Sequence, residues 1–460
     1  MFIGRNDELQ ILENRYNSNR GELVVLYGRR RVGKTELLHQ FCKNKKNVFY
    51  ACTECADSSQ LSAFSERMMR AGHPAAKYIS SFPDWSTALN AVTELPSNEK
   101  KLLVIDEFPY MVRNNAEIPS ILQNLWDTTL QHSNVMIILC GSAMSFIEKE
   151  ILSEKNPLYG RATCIMQLKD MDYYDAAQFF PSYSAEDKIR AYAILGGIPH
   201  YLKQFSDNLS LGENIMAHIL TRGSILYSEV EFMMRQEFRE SAVYNTILNA
   251  IALGSTQLNE IFQKTQIDKN KLIVYLKNLI VVGLVCREFS MAEKLKEQGN
   301  IQRGLYQIQD PFFRFWYTYV FPYIPELDSG DAQGIYEHVV APTLDHFVSR
   351  PFEDICIQYL RRLNRAGQLD FHFAQIGRWW TKQTELDILA TDHNKNHYLA
   401  GECKFKNTPI SQEDIAHAQS KFTLPANADI QWFFFSKSGF TDGAATHKNC
   451  QLINPTNLYL

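Results

Sequence analysis

The stretch Gly28-Arg-Arg-Arg-Val-Gly33-Lys34-Thr35 decides the fold of this chain. It follows the apolar run Leu23 to Tyr27 and precedes a helical run from Glu36 to Phe41. A G-x-x-x-x-G-K-[ST] pattern between a strand and a helix is that of a phosphate-binding loop. The glycines of such a loop let backbone N–H groups wrap a phosphate, and the start of the next helix adds a favourable dipole. The stretch therefore predicts binding of a nucleoside triphosphate.

Each residue of this loop has an expected role at the nucleotide. Lys34 is expected to neutralise β- and γ-phosphate oxygens, and the Thr35 hydroxyl to bind Mg²⁺. The three arginines are expected on the exposed side of the loop, where they either contact phosphates or stay solvated. The residues predicted to bind the nucleotide are Gly28, Arg29, Arg30, Arg31, Val32, Gly33, Lys34, Thr35, Glu36 and, from a later strand, Ser142.

A second pattern supplies the acidic groups that phosphate chemistry needs. In Leu102-Leu-Val-Ile-Asp106-Glu107 four apolar residues end at two carboxylates. We expect Asp106 to hold the metal through water and Glu107 to polarise the attacking water as general base. Ser142 ends the next apolar strand, where a γ-phosphate sensor would lie. Arg161 either reaches a γ-phosphate, in cis or from a neighbouring subunit, or forms a surface ion pair.

Length and composition describe a modular globular protein. At roughly 100 to 200 residues per domain, the 460 residues predict three or four domains. The content of 45% hydrophobic and 21% charged residues is typical of folded proteins. With 47 Lys and Arg against 51 Asp and Glu, the chain has no overall positive field for phosphate backbones. Any nucleic-acid binding is therefore expected to be local.

The chain carries no signal for a membrane or for secretion. Arg5, Asp7 and Glu8 interrupt the N-terminus before an apolar run develops. The longest apolar stretches, such as Leu279 to Val285, fall short of the ~18 residues that span a bilayer. Nine scattered cysteines give no second pair at zinc-site spacing beside Cys52 and Cys55. We therefore expect a cytoplasmic protein without a membrane partner.

Short apolar runs alternate with helical patterns in the first third, which predicts an α/β domain with a parallel sheet covered on both faces. The order helix, turn, helix, helix and strand between Ser241 and Phe289 fits a winged helix-turn-helix.

The aromatic run Asp310 to Tyr317 is expected to be core rather than a stacking platform for bases. The predicted domains are a nucleotide-binding core at 1–170, a helical segment at 171–240, the winged helix-turn-helix at 241–300, an aromatic helical connector and linker at 301–344, and an α/β domain at 345–460.

The part of the chain up to about residue 240 resembles an archaeal-type ATPase, a branch of the P-loop ATPases near AAA+ and the signal-transducing NTPases. The resemblance implies Mg²⁺-dependent ATP hydrolysis, a helical lid that holds a Gly-Gly-Ile-Pro stretch, and a winged helix after the lid. It is carried by Phe2-Ile-Gly-Arg5 with Glu8-Leu9, Gly28 to Thr35, Asp106-Glu107, Gly141-Ser142, Gly160-Arg161, and Gly196 to Leu202.

A second constellation lies near the C-terminus. Glu385 to Ala390 and Tyr398 to Phe405 alternate polar and apolar residues around a polar break from Thr391 to Asn396, which predicts an antiparallel hairpin. Alternation places Glu402 and Lys404 on one face. Pairing symmetric about the break puts Glu402 opposite Glu385 and diagonal to Asp387, with ~7 to 8 Å between Cα atoms. Two carboxylates at that separation can share one cation.

The cluster suits phosphodiester hydrolysis. Asp387 and Glu402 are expected to bind Mg²⁺ through hard oxygens, and Lys404 to orient the water or steady the developing charge. Glu353, on the preceding helix, is a further carboxylate that can reach the metal. The alternative is an ordinary half-exposed hairpin with surface charges.

This region resembles the PD-(D/E)xK nuclease-like domain, of unknown function, that accompanies many archaeal-type ATPases. The resemblance implies a restriction-endonuclease-like α/β fold and metal-dependent cutting of DNA. The motif proline is absent, since Leu386 precedes Asp387. The resemblance is carried by Phe352-Glu353, Glu385 to Ala390, Gly401 to Lys404, Trp432 to Ser436, and Gly439-Phe440.

Two functions follow, with ATP and Mg²⁺ as ligands of both. In the first, the ATPase switches conformation, the winged helix contacts duplex DNA, and the C-terminal site cuts. Lys264, Lys269, Lys271 and Lys277 give that segment only a modest basic face, so it is either a DNA contact or a packing module. In the second, the chain is a nucleotide-dependent switch or scaffold whose C-terminal domain binds nucleic acid or protein without cutting. Either form can be an oligomer.

Overall fold

The computed structural model describes residues 2–142, 147, 153–154, 156–292, 304–426, 428–445 and 450–460. The chain divides into two compact units. The first contains the residues up to Asp170 together with Ile198–His200, and the second contains Met171–Gly197 and Tyr201–Leu460. The finer domain boundaries stay a prediction.

The first unit is built on a parallel sheet of five strands in the order β2-β3-β4-β1-β5. Its strands are β1 Glu22–Tyr27, β2 Asn47–Ala51, β3 Lys101–Asp106, β4 Val135–Gly141 and β5 Cys164–Gln167. Its helices are α1 Asn6–Tyr16, α2 Lys34–Cys42, α3 Asp57–Arg70, α4 Trp85–Asn90, α5 Phe108–Asn114 and α6 Ile118–Thr128.

The central strands of this sheet are apolar on both faces. Alternate residues of β1 enter different cores: Leu23 and Val25 pack on one face, and Val24 and Leu26 on the other. A strand covered on both sides reads as a continuous apolar run, which is why the sequence identified these strands well. The prediction of an α/β fold with a parallel P-loop sheet is confirmed.

The second unit combines helices with two further sheets. A mixed sheet has the order β12-β11-β10-β9-β8, and β6 pairs antiparallel with β7, so the predicted C-terminal α/β domain is also confirmed. The strands are β6 Val285–Glu288, β7 Leu305–Ile308, β8 Gln375–Trp380, β9 Glu385–Thr391, β10 His397–Lys404, β11 Asp429–Ser436 and β12 Cys450–Ile453. The helices from residue 171 on are α7 Tyr173–Ala177, α8 Ala185–Leu195, α9 Pro199–Leu202, α10 Leu211–Ile215, α11 Ile225–Glu237, α12 Ser241–Ala252, α13 Leu258–Thr265, α14 Lys269–Val281, α15 Pro311–Tyr319, α16 Ile324–Asp328, α17 Ala332–Ile335, α18 Ala341–Arg365, α19 Gln412–Ser420 and α20 Asp442–Ala445.

The aromatic helix α15 is core, as predicted. Phe312, Phe315 and Trp316 are almost fully buried. The Phe312 ring lies 4.7 Å from that of Tyr201, and the Trp316 indole N–H donates to the carbonyl of Tyr227 at 2.9 Å. Rings enclosed in this way present no open face on which a base could stack.

Helices α12, α13 and α14 are followed by the hairpin of β6 and β7. This is the order expected of a winged helix-turn-helix, and that assignment stays a prediction. Within the described ranges, none of the helices is long and apolar enough to cross a membrane.

Candidate active sites

The phosphate-binding loop adopts a backbone that glycine makes possible. Gly33 has φ 95° and Arg31 has φ 70°, both in the left-handed region. A Cβ atom on Gly28 would lie 2.4 Å from the backbone oxygen of Leu168. Gly28 is therefore required by the close approach of two backbone segments.

Lys34 lies inside the loop and is only 6% exposed. Its ammonium donates to the carbonyls of Gly28 and Arg29, each at 2.9 Å. Burial lowers the pKa of this amine. The ammonium is held at the centre of the loop and is shielded from solvent. It is therefore well placed to exchange these carbonyls for phosphate oxygens.

The ends of β3 and β4 bring the predicted acidic and polar groups beside the loop, because β4 lies between β3 and β1 in the sheet. The Thr35 hydroxyl donates to Asp106 at 2.8 Å. The Ser142 hydroxyl bridges both oxygens of Glu107, at 2.9 and 3.0 Å. Glu107, the N-cap residue of α5, has φ 52°, a strained conformation for a non-glycine residue. Thr35, Asp106, Glu107 and Ser142 thus form two linked pairs at one edge of the sheet.

Two contacts that brace the loop were not predicted from the sequence. Arg5 is buried and donates to the carbonyl of Val32 at 3.1 Å, while pairing with Glu8 at 3.0 Å. Arg29 pairs with Asp170 at 3.7 Å. The sequence gives no local signal for the Arg5 contact, because Arg5 and Val32 lie 27 residues apart.

The remaining predicted residues of the loop differ in their surroundings. Glu36 is exposed, and Val32 is fully buried. The three arginines are each half-buried, and Arg29 pairs with Asp170. Their contact with phosphates stays a prediction.

Arg161 makes the ion pair that was one of its two predicted roles. Its guanidinium binds Asp127 with three contacts of 2.7 to 3.1 Å and donates to the carbonyl of Pro157 at 2.8 Å. Asp127 is 45% exposed, so the pair is open to solvent. A role of Arg161 at a γ-phosphate stays a prediction that requires this pair to open.

In the second unit, β9 and β10 form the predicted antiparallel hairpin, but the predicted register is wrong by two residues. Tyr398 pairs with Thr391, and Gly401 pairs with Ile388. In the same register Glu402 comes opposite Asp387 rather than Glu385. The cause is the turn: Asp392 accepts hydrogen bonds from the backbone N–H groups of Asn396 and His397, at 2.8 and 2.9 Å. The break therefore begins one residue later than the composition suggested.

The corrected register places two buried carboxylates side by side. Asp387 is 9% exposed and Glu402 is 5% exposed. Asp387 accepts from the N–H of Cys403 at 2.8 Å. One oxygen of Glu402, Oε1, is bound by Lys404 at 2.6 Å and by Lys421 at 3.0 Å. The other oxygen, Oε2, is buried and has no hydrogen-bond partner among the described residues.

Two carboxylates of this cluster have raised pKa values because they are buried and are repelled by neighbouring acids. Burial and the charge of Glu402 raise the pKa of Asp387. Burial and the charge of Asp387 raise the pKa of Glu353 to about 8. For Lys404 burial works in the opposite direction, but the nearby Glu402 and Asp387 raise its pKa overall. A cation placed between the acids would relieve this repulsion.

The three predicted carboxylate ligands do not yet form a metal cage. Among the described residues, no group of three or more His, Cys, Asp or Glu side chains could hold a metal. Glu353 is paired with Arg378 at 2.9 Å and with Arg350 at 3.3 Å, which explains why it does not complete the set. The metal role of Glu353, Asp387 and Glu402 stays a prediction. Lys421 was missed because it lies 19 residues after Glu402 and outside the alternating pattern.

Comparison with known families finds two matching segments. Residues 2–205 match an ATPase domain found predominantly in Archaea. Residues 316–418 match a family described as archaeal and bacterial proteins of unknown function. The first segment contains the phosphate-binding loop, and the second contains Glu353, Asp387, Glu402 and Lys404.

Several similar proteins come from archaea. An uncharacterized protein of Methanocaldococcus jannaschii is 31% identical over 408 residues, which are 88% of this chain and 88% of that protein. An uncharacterized ATP-binding protein of the same organism is 54% identical over 46 residues, 10% of this chain and 78% of that protein. Among solved structures, a Walker-type ATPase of Pyrococcus abyssi is 20% identical with a TM-score of 0.49, covering 69% of this chain and 96% of that one. The ORC2 protein of Aeropyrum pernix is 15% identical with a TM-score of 0.43, covering 73% and 95%.

Proposed function

Because this chain belongs to the same family as the uncharacterized Methanocaldococcus jannaschii protein and carries the predominantly archaeal ATPase domain, we propose that its ATP hydrolysis controls a metal-dependent nuclease site in the C-terminal sheet. The observation that carries the nuclease part is the unpaired, buried Oε2 of Glu402 beside Asp387. A buried charged oxygen without a partner is costly, and a divalent cation would satisfy it.

In the ATPase half, Mg²⁺·ATP supplies an electrophilic γ-phosphate that a water molecule can attack. Lys34 neutralises the phosphate oxygens once its ammonium leaves the carbonyls of its own loop. Asp106 orients the Thr35 hydroxyl toward the metal position. Glu107, fixed by Ser142, accepts the proton of the attacking water. Mg²⁺ in such sites is held by few protein oxygens together with the phosphates, which this small donor set fits.

In the C-terminal half, a bound metal would polarise a phosphodiester and lower the pKa of an attacking water. Asp387 and Glu402 are the hard-oxygen ligands, and Glu402 presents Oε2 for this purpose. Lys404 sits 2.6 Å from Glu402 Oε1 and steadies negative charge that develops at the phosphate. Burial of these groups strengthens each electrostatic contact.

DNA is the proposed polymer because the segment of α13 and α14 offers four lysines against two acids. Asp268 accepts from the N–H groups of Asn270 and Lys271 at the start of α14. Glu260 accepts from the N–H groups of Thr256 and Gln257 before α13. Both acids are therefore used as helix caps, which leaves the lysines to interact with phosphates.

One observation favours the second candidate, a nucleotide-dependent switch that does not cut. Glu402 already holds two lysines, Lys404 and Lys421, through the same oxygen. Such pairing can stabilise the fold without any metal. In this case the C-terminal domain would bind a partner but leave phosphodiesters intact.

Cutting assays on matched variants separate the two candidates. Lys404→Ala and Asp387→Ala should abolish Mg²⁺- or Mn²⁺-dependent cutting while ATPase rates stay within about threefold of wild type. Lys406→Ala is the matched control, because Lys406 lies two residues after the end of β10 and is exposed. Cutting that survives Asp387→Ala, or no cutting by wild type on single-stranded, nicked or duplex DNA or on RNA, would favour the switch.

A further inference from the structure

The turn between β8 and β9 borders a cavity of about 360 Å³ that lies outside the two sites described above. Among the residues that line it are Trp379, Trp380, Lys382, Gln383 and Glu385. Sites for small ligands have volumes of roughly 300 to 1,000 Å³ and combine apolar walls with a few polar groups. A cavity at the lower end of this range suits a ligand of the size of one nucleotide.

Trp380 presents an indole ring that the protein itself leaves available. Its backbone is fixed, because the Ser290 hydroxyl donates to its carbonyl at 2.7 Å and accepts from its N–H at 2.8 Å. In the part of the chain that the structure describes, its indole N–H has no hydrogen bond and its ring has no aromatic partner. Trp379 differs, since its ring packs edge-on against Phe422 with centroids 5.3 Å apart. The half-buried Trp380 is therefore a rigidly placed ring with a face open to a ligand.

The polar groups around Trp380 are also available. Trp380 pairs with Glu385 across the two strands, so these side chains lie on the same face. The exposed side chains of Lys382, Gln383 and Glu385 make no hydrogen bond or ion pair with any described residue. The turn itself is ordered, since the Thr381 hydroxyl accepts from the N–H of Gln383 at 3.2 Å. The cavity thus has a cation, an amide and a carboxylate beside an aromatic ring.

The cavity adjoins the proposed metal position. Leu386 is also part of its wall, and the next residue is Asp387. Consecutive Cα atoms lie only about 3.8 Å apart. Arg378 lines the cavity as well, and its guanidinium lies 2.9 Å from Glu353. A ligand in the cavity would therefore lie beside the carboxylates of the metal position.

We propose that the cavity holds an unpaired nucleobase of a single-stranded polynucleotide, next to the phosphodiester that is presented to the metal site. The Trp380 ring stacks on the base, and Lys382 binds a phosphate. Gln383 and Glu385 bind polar groups at the edge of the base. The base has to be unpaired, because a paired base in a duplex already uses its faces and its pairing edge. This inference rests on the proposed action of the C-terminal domain on nucleic acid.

The test measures binding of labelled single-stranded deoxycytidine oligomers by fluorescence anisotropy. The full-length protein is free of nucleotide and kept in EDTA, so that cutting plays no part. Cytosine is the probe because its amino group can donate to a carboxylate such as that of Glu385. A second oligomer of the same length has abasic sites in place of the bases. Low salt keeps binding of its phosphate backbone measurable, so the ratio of the two affinities gives the contribution of the bases.

Trp380→Ala should weaken binding of the intact oligomer at least about fivefold and change binding of the abasic oligomer less than about twofold, because it removes stacking alone. Trp380→Phe keeps an aromatic ring and should retain most of the affinity. Phe232→Ala is the matched control, since Phe232 is an exposed aromatic residue of the same unit. The proposal is overturned if wild type does not bind the intact oligomer, or if Trp380→Ala binds it as tightly as wild type or weakens both oligomers equally.

Gln383→Ala gives a second comparison that does not depend on whether Trp380→Ala folds. Gln383 is exposed in the turn, and its side chain contributes no hydrogen bond to the described fold. The variant should weaken binding of the intact oligomer at least about twofold, the effect of one lost hydrogen bond. It should leave binding of the abasic oligomer unchanged. Unchanged binding of the intact oligomer by Gln383→Ala would refute its contact with the base.

The base site and the nuclease fail in different ways. If the oligomers bind as predicted but wild type with Mg²⁺ or Mn²⁺ cuts no nucleic acid, the base site stands and the nuclease is refuted. If wild type cuts single strands but Trp380→Ala neither weakens binding nor raises the KM of cutting, the nuclease stands and the base site is refuted.

Discussion

Replacement of Glu107 by Gln isolates the general base of the ATPase. The amide has nearly the same shape, and its Oε1 can still accept from Ser142, which bridges the carboxylate at 2.9 and 3.0 Å. The left-handed backbone at residue 107, with φ 52°, is also unaffected by the change. The variant therefore loses the base without losing the local structure.

The expected loss of ATPase rate follows from the contribution that a positioned general base makes to catalysis. General base catalysis contributes about 10²- to 10⁴-fold, equivalent to about 3 to 5 kcal/mol of activation free energy. We expect the rate of phosphate release to fall by at least about 100-fold. ATP affinity should change by less than about threefold, because Lys34, Thr35 and the loop backbone remain.

Phosphate release and binding of a fluorescent ATP analogue are measured on the same preparations. Glu117→Gln serves as the matched control, since Glu117 is exposed beside α6 of the same unit. Turnover of Glu107→Gln within about threefold of wild type would refute the assignment of Glu107 as base. Equal loss of ATP binding and turnover would also refute it, because the residue would then support the nucleotide site as a whole.

Three further predictions concern the loop, the core and pH. Gly28→Ala should abolish ATP binding and lower stability by about 1 to 3 kcal/mol, because its Cβ would lie 2.4 Å from the Leu168 oxygen; normal binding in a fluorescence titration would contradict this. Phe312→Ala should lower the free energy of unfolding by about 3 to 5 kcal/mol, against less than about 0.5 kcal/mol for the 55% exposed Phe232→Ala; similar urea midpoints for both would show that α15 is not core. The pKa of Glu353 is raised to about 8, above the unfolded value of about 4.3, so the folded protein keeps a proton that the unfolded chain has released. Urea unfolding should therefore show wild type losing stability relative to Glu353→Gln as pH rises between these values, and a constant difference would refute the raised pKa.

The sequence predicted the nucleotide site well because its parts are local. The phosphate-binding loop is contiguous, and Asp106, Glu107 and Ser142 each follow a strand that is apolar on both faces. Parallel strands bring such residues to one edge without further information. The pairs Thr35 with Asp106 and Ser142 with Glu107 then follow from the strand order.

The C-terminal site was predicted less completely because its geometry depends on a turn and on distant partners. Composition located the hairpin, but the side chain of Asp392 closed the turn one residue later and moved Glu402 opposite Asp387. Lys421 reaches Glu402 from the end of α19, and Glu288 reaches Arg350 across 62 residues. Ion pairs of this separation leave no periodic signal, so only the structure reveals them.

The central claim is that ATP hydrolysis controls the C-terminal site. The most direct measurement is cutting of single-stranded, nicked and duplex DNA with Mg²⁺ or Mn²⁺, with and without ATP, by wild type, Glu107→Gln and Asp387→Ala. We predict cutting by wild type that changes at least about fivefold on addition of ATP, loses this response in Glu107→Gln, and vanishes in Asp387→Ala. Cutting by wild type that is the same with and without ATP, or that persists in Asp387→Ala, would contradict the claim.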